Sequence, residues 1–202
     1  MTNETRPPTK KERRGQEIEE TAARLFRDRG YVDVSVREIA EAAGITQPTL
    51  YRYIGSKQQL LRKIYETGQD ADRELVHRID GMDATPDEKI RMLLRDGMVS
   101  RAEHLEEYEV YNREIIQLDP EYLQTQVPIR NEIDNVVRKI LDDGVAAGLW
   151  PASHTTAMRM LFWGSLRNVV AWYKPAGRLS PEELGDMFAD IMLEGLLHVP
   201  DR

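Results

Sequence analysis

The sequence predicts an all-α fold of about nine helices, on three observations. Apolar residues recur at the helical period along most of the chain. Start signals of the Ser-x-x-Glu and Thr/Ser/Asp-Pro type punctuate it, and no segment sustains the period-two alternation of a half-buried strand. A chain of 202 residues is long enough for one large domain or two small ones around a real apolar core.

Met1 to Glu12 holds Pro7-Pro8, the basic Arg6, Lys10 and Lys11, and only Met1 as a large apolar residue, so residues 1–12 read as a disordered basic arm. Ile18, Ala22, Leu25 and Phe26 then form a stripe that ends at Gly30. Ser35 and Glu38 have capping-box spacing and open a short helix with Val36, Ile39, Ala40 and Ala43 inward. After Gly44-Ile45-Thr46 a second short helix runs from Gln47 to about Tyr53, and Ser56 starts a long helix with Leu60, Leu61, Ile64, Gly68, Ala71 and Leu75 on one face. Thr85-Pro86-Asp87-Glu88 opens the next, with a stripe from Ile90 through Met98 to Leu105. Asp119-Pro120 opens another, whose stripe runs from Ile129 through Leu141 to Gly144 or Gly148. Ser180-Pro181-Glu182-Glu183 starts the last helix. Between these, Ala157 to Tyr173 is apolar on almost every face, which in a water-facing protein calls for a second covering surface such as another subunit.

The composition excludes several classes. With no cysteine there is no disulfide framework, thiolate metal site or thiol nucleophile. The N-terminus lacks the apolar run of a signal peptide, and the charge-free stretch from Gly144 to Met158 is interrupted by Pro, Ser, His and Thr, so the expectation is a soluble cytoplasmic protein without a membrane partner. The four histidines are scattered, and no zinc, phosphate-loop or nucleophile-elbow motif is present, so no enzyme, metal or cofactor is expected. Glu74-Leu75-Val76-His77 has the spacing of a di-iron half-site but lacks a second copy. The formal charge of −7 would argue against a polyanionic partner, but it divides unevenly. Residues 1–63 hold 13 Lys/Arg against 9 Asp/Glu, a net +4, and residues 64–202 hold 15 against 26, a net −11.

The basic head contains the most informative segment. Two short helices meet at Gly44-Ile45-Thr46, a three-residue turn with glycine where φ must turn positive. Leu50 and Ile54 anchor the second helix inward, which leaves Gln47, Thr49, Arg52 and Tyr53 outward. Gln can pair with adenine, Arg with guanine or phosphate, and Thr with phosphate or a thymine methyl, so this pattern fits a recognition helix in a major groove. The arm at 1–12 then reads either as a loose terminus or as a basic segment reaching the minor groove.

The string Ala23, Leu25-Phe26, Gly30-Tyr31, Val34, Val36-Arg37-Glu38-Ile39-Ala40, Ala43-Gly44-Ile45-Thr46, Thr49-Leu50-Tyr51, Ser56-Lys57 and Leu60 resembles the TetR family of transcriptional regulators over about 45 residues with spacing intact. The resemblance implies a three-helix DNA-binding domain at residues 13–58 and a helical effector-binding and dimerisation domain at 59–202. It further implies that Tyr51 and Lys57 meet phosphates, that Ser35 and Arg37 approach the DNA backbone, and that Thr46, Gln47, Thr49 and Tyr53 face bases or adjacent phosphates. The family often has His-Phe where this chain has Tyr53-Ile54, and a small residue where it has Pro48. Such regulators bind a palindromic operator as homodimers and release it when a small molecule enters the C-terminal domain, and repression is their commoner mode.

In the body, the all-round apolar helix and the striped last helix predict a dimer face over residues about 153–198. Tyr108, Tyr111, Trp163, Arg167, Asn168 and Trp172 are the candidate effector-pocket residues, being large or polar groups on otherwise apolar helices. Arg167, set amid Leu166, Val169 and Val170, calls for either an acidic partner such as Glu114 or an anionic ligand. The run Trp172-Tyr173-Lys174-Pro175 with Gly177 to Glu182 also resembles the acyl-CoA-responsive members of the family, which implies an apolar tunnel with basic residues at its mouth. The alternative is a DNA-binding or partner-binding helical module with a filled core and no effector.

Overall fold

A computed structural model describes residues 9–196, and among them it shows nine α-helices, two 3-10 turns and no strand. The helices are α1 (Lys10–Arg29), α2 (Val36–Ala42), α3 (Gln47–Ile54), α4 (Lys57–Asp80), α5 (Pro86–Glu103), α6 (Leu105–Arg113), α7 (Pro120–Ala146), α8 (Thr155–Val169) and α9 (Pro181–Leu196). The 3-10 turns at Glu114–Gln117 and Ala152–His154 follow α6 and precede α8.

Local chemistry sets most of the starts. Thr9, Ser35 and Ser180 each close a capping box with the glutamate three residues on, and the Ser56 hydroxyl accepts the Gln59 N–H at 3.0 Å. Three boundaries differ from the sequence reading. The Thr9 box starts α1 at Lys10, so residues 10–12 of the basic arm are helical, while residues 1–8 lie outside the described residues. The stripe from Ile90 to Leu105 is broken at His104, whose φ of −121° and ψ of 43° end α5 and turn the chain into a separate α6. The apolar segment 157–173 ceases to be α-helical after Val169, where tight turns take over and the Tyr173 N–H donates to the Val169 carbonyl at 2.8 Å.

Two apolar cores result. One gathers Ile18, Phe26, Val34, Ile39, Leu50 and Ile54 from α1 to α3 around Leu60, Leu61, Ile64 and Tyr65 of α4. The other packs Leu75, Val76 and Ile79 of α4 against α5, α7, α8 and α9. Helix α4 therefore belongs to both, and no core boundary falls at residue 58. A nine-residue helix is shared too: Val110 of α6 lies in the first core and Tyr108 in the second. Helices α4 and α7 run side by side in parallel, cross-linked by Tyr122 to Glu66 (2.8 Å), Arg73 to Glu132 (2.9 Å) and Lys139 to Asp80 (2.8 Å). Helix α9 approaches α5 closely through Gly185, where a Cβ would run into the Arg95 backbone.

Candidate nucleic-acid interface and effector cavity

The α2–α3 corner is built for rigidity. Gly44 adopts φ +65°, the Ile45 N–H donates to the Ala40 carbonyl at 3.0 Å, and the Arg14 guanidinium of α1 donates to the Ala43 carbonyl at 2.6 Å. Leu50 and Ile54 are buried, as their spacing predicts, and turn the opposite face of α3 to solvent. Gln47 and Arg52 are exposed, Tyr51 and Tyr53 are 43% and 36% exposed, and none of the four side chains has a hydrogen bond or ion pair among the described residues. They form a row of unused donors and ring edges.

The other predicted contacts are already engaged within the chain. Thr46 caps α3, and its hydroxyl lies 2.9 Å from that of Thr49, so the two hydroxyls satisfy each other. Ser35 donates to Glu38 at 2.6 Å, and with Arg29 it holds the Glu38 carboxyl at a pKa of about 2. Arg37 is ion-paired with Glu41 at 2.7 Å. Lys57, the first residue of α4, lies over the Tyr31 ring at 4.3 Å and donates to the Val32 carbonyl at 3.3 Å. Partial burial lowers the pKa of its ammonium.

In the second core, a cavity of about 460 Å³ opens between α4, α5, α6, α7 and α8. Its floor is a buried polar network. Arg101, 4% exposed, donates to the Asp72 carboxylate (2.8 Å), the Leu166 carbonyl (3.0 Å) and the Gly97 carbonyl (3.3 Å). Burial opposes its charge, and the facing Asp72 more than offsets that. The Tyr108 hydroxyl donates to the same carboxylate at 3.2 Å, and burial pushes its pKa up to about 12. Tyr111 stacks on Tyr65 with ring centroids 4.7 Å apart. Across the cavity, Asp134 accepts from Arg159 at 2.6 Å and from the Trp163 indole at 3.0 Å. Arg130 and Arg167 also line the cavity and have no carboxylate partner among the described residues, so two guanidinium charges remain unmatched there.

Of the predicted pocket residues, Tyr108, Tyr111, Trp163 and Arg167 come together in this cavity, and Asn168 and Trp172 do not. Asn168 donates to the Gly164 carbonyl at 2.9 Å and lines a separate apolar groove of about 560 Å³ between α5, α8 and α9. Trp172 lies past the end of α8, half exposed, near the Phe188 ring. Glu114 does not pair with Arg167: it is buried and bound by its neighbour Arg113 at 3.0 Å. Asp72, Arg101, Arg130, Asp134 and Arg159 were not among the sequence candidates. Two of them carried a signal, since Arg101 continues the stripe Leu94, Gly97, Met98, and Asp72 continues Leu61, Ile64, Gly68. A charge inside an apolar stripe must be paired, and these two pair with each other.

Both the segment that holds the corner and the segment that follows it match known family models. Residues 18–64 match the model for bacterial regulatory proteins of the tetR family, and residues 83–196 match the tetracyclin repressor-like C-terminal domain. The HTH-type transcriptional repressor KstR2 of Mycolicibacterium smegmatis is 29% identical over 195 residues, covering 94% of this chain and 93% of that one. Among solved structures, AibR in complex with isovaleryl coenzyme A and operator DNA is 28% identical with a TM-score of 0.79, covering 89% of this chain and 98% of its own. The TetR family regulator PfmR of Thermus thermophilus is 25% identical with a TM-score of 0.82 at the same coverage.

Proposed function

Since the chain belongs to the TetR family of bacterial transcriptional regulators, we propose that it is a repressor which binds a palindromic operator as a homodimer and releases it when an apolar anion fills the α4–α8 cavity. The observation that carries the reading is that α4 and α6 each belong both to the core under the recognition helix and to the core around the cavity. Relatives named as repressors and the neighbour holding a coenzyme A thioester support the same view.

The DNA face follows from the exposed row on α3. Gln47 and Arg52 supply the side chains for base edges, with Tyr53 beside them, and Thr49, its hydroxyl taken by Thr46, offers its methyl. Tyr51, Ser35, Arg37 and Lys57 meet phosphates, where the amide end of α4 adds its dipole. The dimer face is the side of α8 and α9 on which Met160, Leu161 and Ile191 are 65%, 58% and 67% exposed, so four helices close an isologous bundle across the two-fold axis. This covers the described part of the 153–198 segment.

For the effector, the cavity has a volume within the usual range for small-molecule sites. Ile133, Met160 and Trp163 offer apolar walls, and Arg130 and Arg167 supply the unmatched positive charge. That combination suits the acyl end of an acyl thioester, with the anionic part of the molecule drawn to the arginines. A ligand wedged against Tyr108, Tyr111 and Asn112 pushes α6, whose Arg113 donates to the Phe26 and Arg27 carbonyls at 2.6 and 2.8 Å and so holds the C-terminal end of α1.

The test is selection of a duplex from a random-sequence library, followed by gel-shift titration with a panel of acyl coenzyme A thioesters that includes isovaleryl coenzyme A. The reading expects a palindromic site, occupancy by one dimer or an even number of chains, and release by at least one thioester. Release by none, with binding to the palindrome intact, would leave a DNA-binding module without this effector class. Absence of sequence-preferring binding would remove the regulator reading itself.

A further inference from the structure

We infer that the effector is a thioester whose acyl chain ends in a second carboxylate, bound at an inner anion site formed by the Arg130 guanidinium and the Tyr111 hydroxyl, with the Tyr65 hydroxyl behind them. The inference rests on the thioester reading of the cavity and deepens it by naming the acyl group.

Charge within the cavity is the first observation. Four arginines and two aspartates line it, a net of +2. Each aspartate is already matched, Asp72 by Arg101 and the Tyr108 hydroxyl, and Asp134 by Arg159 and the Trp163 indole. The two arginines that remain lie at different depths. Arg167 is exposed on α8, whereas Arg130 is half-buried on α7, on the same helical face as Ile133 and Asp134. The phosphates of a coenzyme A thioester stay on the solvent side of its acyl group, where Arg167 suits them. One positive charge, that of Arg130, is then left facing the acyl chain.

The surroundings of Arg130 are the second. Tyr65 of α4 is 1% exposed, and its hydroxyl has no partner at hydrogen-bonding geometry among the described residues. Burial raises the pKa of that hydroxyl, and the Arg130 guanidinium and the Tyr111 hydroxyl beside it pull it partly back. Tyr111 lines the cavity, with the Tyr65 ring stacked behind it, and burial raises its pKa as well. Both phenols therefore keep their protons near neutrality and stand as O–H donors next to a guanidinium. A hydrocarbon chain filling the cavity would strip water from Arg130 and return nothing to it. A carboxylate in the same place takes charge-assisted hydrogen bonds from the guanidinium and supplies the acceptor that the phenols lack. A neutral carbonyl would supply the acceptor and leave the charge unmatched.

The experiment is calorimetric binding to the full-length, DNA-free protein. The probes are the glutaryl, adipyl and pimelyl thioesters of N-acetylcysteamine, each beside its methyl-ended isostere (pentanoyl, hexanoyl, heptanoyl) and its neutral methyl-ketone analogue. N-acetylcysteamine carries no phosphate, which takes the coenzyme's own charge out of the comparison. At least one carboxyl-ended thioester is expected to bind about tenfold or more tightly than both of its counterparts, the scale of hydrogen bonds to a charged group. That ratio should fall to about one in Arg130→Gln, return in part in Arg130→Lys, shrink in Tyr65→Phe, and persist in Arg167→Gln, with thermal melts confirming that each variant is folded. Methyl-ended thioesters that bind as tightly as the carboxyl-ended ones overturn the inference and leave the thioester reading standing. A methyl ketone equal to the carboxylate, a ratio that survives Arg130→Gln or is unchanged in Tyr65→Phe, or an equal loss in Arg167→Gln overturns it too. If no thioester binds, even as the full coenzyme A form, the thioester reading falls first and this site with it.

Discussion

Removing the Asp72 carboxylate tests the cavity floor most directly. In the Asp72→Leu variant, Arg101 would keep the Leu166 and Gly97 carbonyls but lose its only carboxylate partner among the described residues, and the Tyr108 hydroxyl would be left with the Gly68 carbonyl at 3.5 Å and the Ser100 hydroxyl at 3.3 Å. The side chains of Arg101 and Asp72 are 5% and 10% exposed, so solvent screens the loss only weakly. Breaking such a pair from one side costs about 3–5 kcal/mol. The two retained carbonyls put the expectation at the lower end, about 3 kcal/mol, which for a chain of this length lowers the midpoint by roughly 6–12 °C. Arg101→Met is expected to cost less, because Asp72 keeps the hydrogen bond from the Tyr108 hydroxyl. The double variant should recover stability relative to Asp72→Leu, since the stranded guanidinium is gone. Urea unfolding followed by circular dichroism, at one fixed protein concentration, measures all three. A double variant as unstable as the sum of its single changes would refute the pairing argument, because uncoupled groups add and coupled ones do not.

Other consequences can be measured separately. Gly44→Ala has no steric neighbour within 4 Å, so its cost is that of holding a Cβ at φ +65°, about 1–2 kcal/mol, and operator affinity should fall with it. Gly44→Asn should recover part of both in the same unfolding and gel-shift assays. Glu38 titrates at about 2, below its ordinary 4.5, so its capping contribution is fully present above pH 4.5 and fades as the pH falls toward 2. The stability gap between wild type and Glu38→Gln, read from thermal melts, is accordingly expected to be widest near neutrality and to narrow below pH 4.5. Arg113→Ala is expected to keep thioester affinity for free protein while the thioester's effect on operator affinity shrinks toward one. Full release by the same thioester in that variant would show that the signal takes another route.

The helix starts were the most legible part of the chain, because Ser35-x-x-Glu38, Thr85-Pro86 and Ser180-Pro181 act through contacts of three residues or fewer. The recognition corner was legible for a related reason: Gly44 and the Leu50–Ile54 pair fix it locally. The cavity was not. Asp72 and Arg101 of its floor interrupt apolar stripes, but their partnership spans 29 positions, and Asp134 and Arg159 of its wall, 25 apart, look like surface charges until each partner is known. The break at His104 was equally hidden, since Leu105 continues the apolar spacing of α5 while the chain has already turned. Trp172 misled for the opposite reason: a large aromatic beside an apolar run looked like pocket lining, but the helix ends three residues earlier.

The placement of α6 explains why filling the cavity should be felt at the DNA. Tyr108, Tyr111 and Asn112 face the cavity, while Val110 and Arg113 of the same helix bind the core and the α1 end of the helix-turn-helix domain. The turn that follows adds a second tie, since the Gln117 carbonyl accepts from Gln58, which in turn accepts from the Tyr31 hydroxyl at 2.8 Å beneath Lys57. Close-packed interiors do not absorb an inserted group by compression, so rings pushed on one face of a two-turn helix must carry the other face with them. The alternative, in which α4 alone transmits the motion, requires Tyr65 of α4 to move while Tyr111 stays stacked on it. Because that stack couples α4 to α6, the two helices are expected to shift as one element, and losing the Arg113 tie should weaken the response without abolishing ligand binding.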